Sequence, residues 1–245
     1  MTEDQIHVVR AGKLGYLESW RLQQRLAAAR RDGRVPDLLL LTEHPPTYTI
    51  GRRGTRDNLL IDDETLHDVG AVYFEVDRGG DITFHGPGQL VVYSIIDLGL
   101  TQRSVRRYVE NLEAVVIKSL SHYGLEATID PAYPGVWLGR DKIAAIGISI
   151  HHGVSYHGFA LNVDPDLRYF DYMIPCGIPD RGATSLTRET GKAVTIDEMS
   201  HLVIERFAEV FEVSVAWDLD LPALERASEI EGSIPARRAA MTTSG

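Results

Sequence analysis

One cysteine, Cys176, is present in 245 residues. A single thiol closes no internal disulfide, and without a Cys-x-x-Cys pair no structural zinc site of the usual kind is expected. Cations are also in short supply: 25 Lys and Arg against 35 Asp and Glu leave a net charge of −10 with His neutral. That balance argues against nucleic-acid binding, which draws its affinity from cationic neutralisation of phosphates. No apolar run approaches the roughly 20 residues that span a bilayer, so no membrane association is expected. The opening MTEDQIHVVR has acids where a secretory signal has a basic region. Neither Gly-x-x-x-x-Gly-Lys-Ser/Thr nor Gly-x-Gly-x-x-Gly occurs, so no nucleotide-phosphate cradle is indicated. Together these features describe a soluble, cytoplasmic chain.

What is present suits a packed domain. With 44% hydrophobic and 24% charged residues the chain is not disordered by composition, and its length allows burial of on the order of 70–75% of the unfolded surface. Residues 16–31 read as a helix stopped by Gly33. Leu38 to Leu41 suits a buried strand ended by Pro45-Pro46. Ala71 to Val76 and Leu90 to Ile96 are β-rich. Ser104 to Tyr123 carries one apolar stripe of helical spacing with Ser104 as N-cap, and Thr195 to Phe211 opens with capping-box spacing between Thr195 and Glu198. Residues 142–150 and 156–163 read as strands joined by a His-His-Gly turn, which also accounts for His151, His152 and His157 without a metal. Periodicity fades after Asp218. The pattern predicts one α+β domain over residues 1–217, a mixed β-sheet flanked by helices, followed by a partly disordered extension over 218–245.

Three segments stand out from this background. Arg78 to Leu90 packs four glycines and a proline between two strands, a loop whose backbone can approach a ligand closely. Lys142-Ile143-Ala144-Ala145-Ile146-Gly147 places an amine at the start of an apolar strand with small residues behind it, leaving room for a chain-like apolar ligand. Pro175-Cys176-Gly177 puts the thiol in a loop-like stretch rather than a periodic element, where reactive groups concentrate. Two basic clusters, Arg52, Arg53 and Arg56, and Arg103, Arg106 and Arg107, could draw an acidic partner locally.

These segments, with His157-Gly158-Phe159-Ala160-Leu161-Asn162, resemble the lipoyl(octanoyl) transferase family, in order from about Gly15 to Val215. The resemblance implies the catalytic-domain fold shared with biotin and lipoate protein ligases. It implies an acyltransferase that moves an octanoyl group from octanoyl-acyl carrier protein to a specific lysine of lipoyl domains. The acceptors would be 2-oxoacid dehydrogenase subunits and the glycine cleavage H protein. By the same resemblance Cys176 carries the acyl group as a thioester, and Lys142 lowers the thiol pKa and shuttles protons. The implied substrate-binding residues are Arg78, Gly79, Gly80, Asp81, Ile82, Thr83, Phe84 and His85, then Ala145, Ile146 and Gly147, then Gly158, Phe159 and Ala160.

The residue types suit that chemistry. A free thiol is only a few per cent ionised at pH 7, and a neighbouring ammonium favours the thiolate nucleophile. The donor is already a thioester, so neither ATP nor a metal is expected. Backbone N–H groups near Cys176 and Gly177, or His85, are candidate oxyanion donors. An ATP-dependent ligase on the same fold would not need the cysteine.

Overall fold

Strand β2 (Leu38–Glu43) and strand β6 (Gln89–Ile95) are apolar on both sides because both faces of their sheet are covered. Leu39, Leu41, Leu90 and Val92 point to one face, and Leu38, Leu40, Val91 and Tyr93 to the other. The computed structural model describes residues 5–99, 105–174 and 181–229.

The remaining strands are β1 (Gln5–Lys13), β3 (Thr47–Ile50), β4 (Val72–Glu75), β5 (Ile82–His85), β7 (Thr128–Asp130), β8 (Tyr133–Leu138), β9 (Asp141–His151), β10 (Val154–Asn162) and β11 (Ser214–Ala216). The helices are α1 (Tyr16–Arg31), α2 (Asp63–Asp68), α3 (Val105–Ser121), α4 (Leu186–Thr190), α5 (Ile196–Phe211) and α6 (Leu221–Ser228). Among the described residues the larger sheet has the order β11-β1-β2-β6-β10-β9-β8-β7. It is parallel where β1 meets β11 and β2 and antiparallel from β2 onward. A smaller sheet has the order β4-β3-β5. The fold is α+β with a mixed sheet flanked by helices, as expected.

Helices α3 and α5 cover one face of the large sheet, burying Leu112, Val115, Val116, Val203 and Phe207 against β6 and β10. Helices α1 and α6 cover part of the other through Leu22, Leu26 and Leu224. The capping box of α5 is formed: Thr195 accepts from the Glu198 N–H while Glu198 accepts from the Thr195 N–H. Ser104, the expected cap of α3, lies outside the described residues.

Several elements depart from the sequence expectation. The double proline does end β2, but β3 begins at once, so the chain turns a corner into the second sheet. β1 was not anticipated, because its pairing partners β2 and β11 lie far off in sequence. Order also persists beyond Asp218. Leu221 and Pro222 open a helix capped by Asp220, and Leu224, Arg34 bonded to the Ala227 carbonyl, and Arg25 bonded to Ser228 fasten it to the body. Residues 230–245 lie outside the described residues.

Gly158 was expected to leave space for a ligand, and it has another duty. A Cβ there would meet the Val92 carbonyl oxygen on the adjacent strand at 2.1 Å. Since backbone cannot swing aside, Gly158→Ala should force β10 away from β6 and destabilise the fold by about 3 kcal/mol or more. Urea unfolding measures this, and a midpoint equal to wild type would contradict it.

Candidate active site

On the α1 face of the large sheet, a cavity of about 250 Å³ lies between that sheet, β5 and the start of α1. Its floor is Ala145 and Ala160, paired across β9 and β10, with Val91 and Tyr93 alongside. Ile82, Thr83 and His85 form the opposite wall, and Tyr16 closes one side. Lys142 and His157 also line it.

The expected site residues largely converge here. Arg78, Gly80, Asp81, Ile82, Thr83, His85, Ala145, Ile146, Gly147, Gly158, Phe159 and Ala160 all line the cavity with Lys142. Two do not. Phe84 faces away and stacks on Tyr169 at 4.6 Å in the core of the small sheet, as alternation along β5 requires. Gly79 acts through its backbone, its N–H donating to the Ile148 carbonyl at 2.9 Å. That contact explains Gly147, where a Cβ would lie 2.8 Å from the Gly79 oxygen. Gly147 and Gly158 thus permit close backbone approach, while the room along the cavity comes from Ala145 and Ala160.

Lys142 is held by its backbone and its stem. Its N–H donates to the Gly182 carbonyl and its carbonyl accepts from Thr184, each at 3.0 Å. The stem packs over Gly135, where a Cβ would be 3.1 Å from Lys142 Cε. The amine donates to the Pro134 carbonyl at 3.3 Å and sits 4.6 Å from the centre of the Trp137 ring. Gly135 and Trp137 were not singled out in the sequence; a glycine followed two residues later by tryptophan carries no signal until β8 pairs with β9.

Pro175 to Asp180, with Cys176 and Gly177, lie outside the described residues. The chain on either side of them is placed. Met173 bonds back through Phe170 and Ile174 donates to the Asn58 carbonyl, while Gly182 and Ala183 run beside Lys142. Met173, Gly182 and Ala183 border a small lobe together with Lys142, Gln89 and Asn162.

A buried hydrogen-bond chain runs under the cavity, and its direction is determined. Arg78, buried, donates from Nε and Nη2 to the Thr49 hydroxyl at 3.2 and 2.9 Å. The Thr49 hydroxyl therefore donates to His85 Nε2 at 3.3 Å. His85 Nδ1–H donates to Gln89 Oε1 at 2.9 Å. The Gln89 amide donates to Asn162 Oδ1, and the Asn162 amide to the Thr184 carbonyl, each at 2.9 Å. Both ring nitrogens of His85 are thereby engaged, and its one N–H points to Gln89. His85 has no donor left for an oxyanion, which removes it from that role.

A second group of buried polar side chains was not read from the sequence. His44 donates from Nδ1 to the Leu14 carbonyl and accepts the Tyr93 hydroxyl at Nε2, both at 2.7 Å, with Tyr16 packed edge-on at 5.2 Å. His151 and His152 are exposed at the β9–β10 turn as expected, but His157 is buried. Among the described residues no cluster could hold a metal ion. Asp77 accepts from His157, Trp20 and Tyr156. Burial works to raise its pKa, but these three bonds outweigh it and hold Asp77 down at about 2.

Burial pushes His44 down to about 4 and His85 well below its ordinary range, where nearby His44 and Arg78 push in the same direction. His157 is also lowered by burial, against the pull of Asp77. A histidine kept neutral in the folded chain takes up a proton on unfolding, so stability falls as pH drops below the unfolded value. For His44 the window runs from 6.5 to about 4 and is worth about 3 kcal/mol. The denaturation midpoint should fall steadily across that window, and less steeply in His44→Gln; a flat profile would refute the assignment.

Residues 15–208 match the model of the lipoyl protein ligase A/B catalytic domain. An octanoyltransferase of Caldicellulosiruptor bescii is 46% identical over 86% of this chain and 93% of its own. A mitochondrial octanoyltransferase of Arabidopsis thaliana is 43% identical over 88% of this chain and 93% of its own. Among solved structures, lipoate-protein ligase A bound with ATP superposes with a TM-score of 0.71 over 93% of both chains at 17% identity, a likeness of fold. The chain belongs to the lipoyl protein ligase A/B catalytic domain family, alongside its octanoyltransferases, and is an acyltransferase.

Proposed function

We propose that this enzyme transfers an octanoyl group from octanoyl-acyl carrier protein, through a thioester on Cys176, to a lysine of lipoyl domains. The acceptors are lipoyl domains of 2-oxoacid dehydrogenase subunits and the glycine cleavage H protein, and the setting is cytoplasmic. The observation that carries the reading is the cavity itself, which has Ala145 and Ala160 side by side in its lining together with Lys142. On one side of Cys176 Gly182 bonds to Lys142, and on the other Met173 lines a small pocket that Lys142 also lines.

The thiolate of Cys176 attacks the donor carbonyl, and the carrier thiol leaves with the proton that the Lys142 ammonium gives up. Lys142, as the ammonium, stabilises the thiolate beforehand. Once the sulfur is acylated its charge is gone, and Lys142 in this half-dry corner becomes able to accept a proton from the incoming lysine. The amine then attacks the thioester, an amide forms, and the Cys176 thiolate is released. Thioester exchange followed by amide formation runs without ATP or a metal.

Arg53 adds a partner-facing charge. Arg52 is tied to the Asp77 carbonyl and Ser149, Arg56 to the carbonyls of Leu59 and Ile61, and Arg106 to Glu110. Arg103 lies outside the described residues. The Arg53 side chain lines the cavity and is exposed, free of side-chain hydrogen bonds among the described residues. It is placed to meet an anionic group on an arriving protein substrate.

Intact-mass spectrometry after mixing with octanoyl-acyl carrier protein should reveal one octanoyl adduct, labile to hydroxylamine and absent from Cys176→Ser. Lys142→Arg, charged but unable to release a proton, should acylate better than it transfers; equal loss in both steps would count against the proton assignment. Activity with free octanoate and ATP that survives Cys176→Ser would instead identify a ligase. For Arg53→Ala the KM for octanoyl-acyl carrier protein should rise up to about fivefold at low salt, with the difference vanishing at high salt. A KM equal to wild type at low salt would remove Arg53 from partner binding.

A further inference from the structure

Lys142 shares the ring of Trp137 with a second cation. Trp137 is buried in β8, and its indole N–H donates to the Tyr133 carbonyl at 3.1 Å, which fixes the ring as a plate. The Lys142 amine lies 4.6 Å from the ring centre and the Arg181 guanidinium carbon 4.5 Å; Arg181 also lies 5.1 Å from the Tyr133 ring. The two charges are thus at most about 9 Å apart, the sum of their distances to the Trp137 centre. Each is drawn to the electron-rich aromatic face, while the two repel one another.

Arg181 keeps its charge at any ordinary pH, because a guanidinium does not give up its proton. It is a fixed positive charge beside a group that titrates, and such a charge disfavours the ammonium form of that group. Arg181 is itself tethered. Its Nη2 donates to Asp130 Oδ2 at 2.6 Å, and each of these side chains is 26% exposed. Bonds from the Ala132 N–H and from Arg181 hold the Asp130 carboxyl below its ordinary range, and the charge of Lys142 adds to them. Asp130 therefore pulls on the Lys142 proton with the sign opposite to that of Arg181.

Other walls present charged groups as well. Glu113 of α3 stands behind Gly135, whose N–H it accepts at 3.3 Å, and Asp141 precedes Lys142 in β9. Arg53, Arg78, Asp81 and His85 line the cavity with it. Arg181 differs from these in meeting Lys142 across a single aromatic ring.

The proposed chemistry asks opposite things of Lys142 in its two steps: an ammonium while the thiolate forms, a free base when the substrate lysine arrives. An amine with the ordinary lysine pKa of about 10.4 holds its proton too tightly for the second step at neutral pH. Resting on the octanoyl-transfer reading, we propose that Arg181, facing Lys142 across Trp137, is a positioning residue that loosens the hold of the amine on its proton, and that Asp130 limits how far.

The test reads the Lys142 amine directly. In the full chain, the pH dependence of its trace labelling by acetic anhydride, quantified by peptide mass spectrometry, gives its apparent pKa. The pH dependence of octanoyl transfer from pre-acylated enzyme is followed alongside. Arg181→Gln should raise that pKa by roughly 0.5 to 1 and move the rise of transfer rate to higher pH by the same amount. Asp130→Asn should move both the other way, and Arg181→Lys, which keeps the charge, should titrate near wild type. A merely structural role would shift the Arg181→Gln and Asp130→Asn variants in the same direction, or cut the rate with the titration unmoved. Either result overturns the proposal, as does an Arg181→Lys variant that titrates like Arg181→Gln. Should Arg181→Gln fail to fold, the sign of the Asp130→Asn shift decides alone. If the amine titrates as expected but the wild type takes no octanoyl group from the carrier protein, the functional reading falls while the coupling stands.

Discussion

The structure depends on the buried hydrogen-bond chain that runs from Arg78 through Thr49, His85, Gln89 and Asn162 to the Thr184 carbonyl. Each member donates in one direction only, because a guanidinium cannot accept and a carbonyl cannot donate. Breaking one link strands a donor or acceptor where water does not reach, so the chain behaves as a unit. It ties the small sheet, through Thr49 and His85, to the large sheet, through Gln89 and Asn162. It ends on the residue whose N–H holds the Lys142 carbonyl. The wall, floor and amine of the cavity are therefore positioned by one set of bonds.

Apolar packing supplies the frame for that chain without specifying the cavity. The faces of β2, β6 and β10 bury leucine, valine and phenylalanine against α3 and α5 on one side and against α1 on the other. Over Ala145 and Ala160 the side chains are too small to reach the small sheet, and the gap between the two sheets stays open. Beside it the loop through Gly79 passes close over Gly147. Lys142 and His157 also line the cavity.

Much of this was legible beforehand where the signal was local. The stripe along α3, the capping box of α5 and the hairpin at His151 to Gly153 depend on neighbours within a few residues. The Arg78–His85 segment, the Lys142 strand and the Gly158–Ala160 strand were recognisable as motifs, and they do meet around one cavity, although the loop expected at Arg78 to Leu90 contains strand β5. What escaped was non-local. His44, Tyr16, Tyr93 and Asp77 come from four separate segments with no shared pattern, and β1 has meaning only beside β2 and β11. His157 was grouped with the turn histidines because sequence distance alone cannot tell a buried, left-handed residue from an exposed one five or six positions away.

By itself the sequence determined the α+β class, the main helices, the single thiol and the family to which the chain belongs. Those rest on periodicity, on composition and on residues contiguous along the chain. Only the tertiary structure decided the tautomer of His85, the burial of Phe84 away from the cavity, the backbone duty of Gly147 and Gly158, and the folded helix beyond Asp218. The reason is physical: each is set by which atom lies across a gap of about 3 Å in the folded chain, and strands far apart in sequence supply that atom.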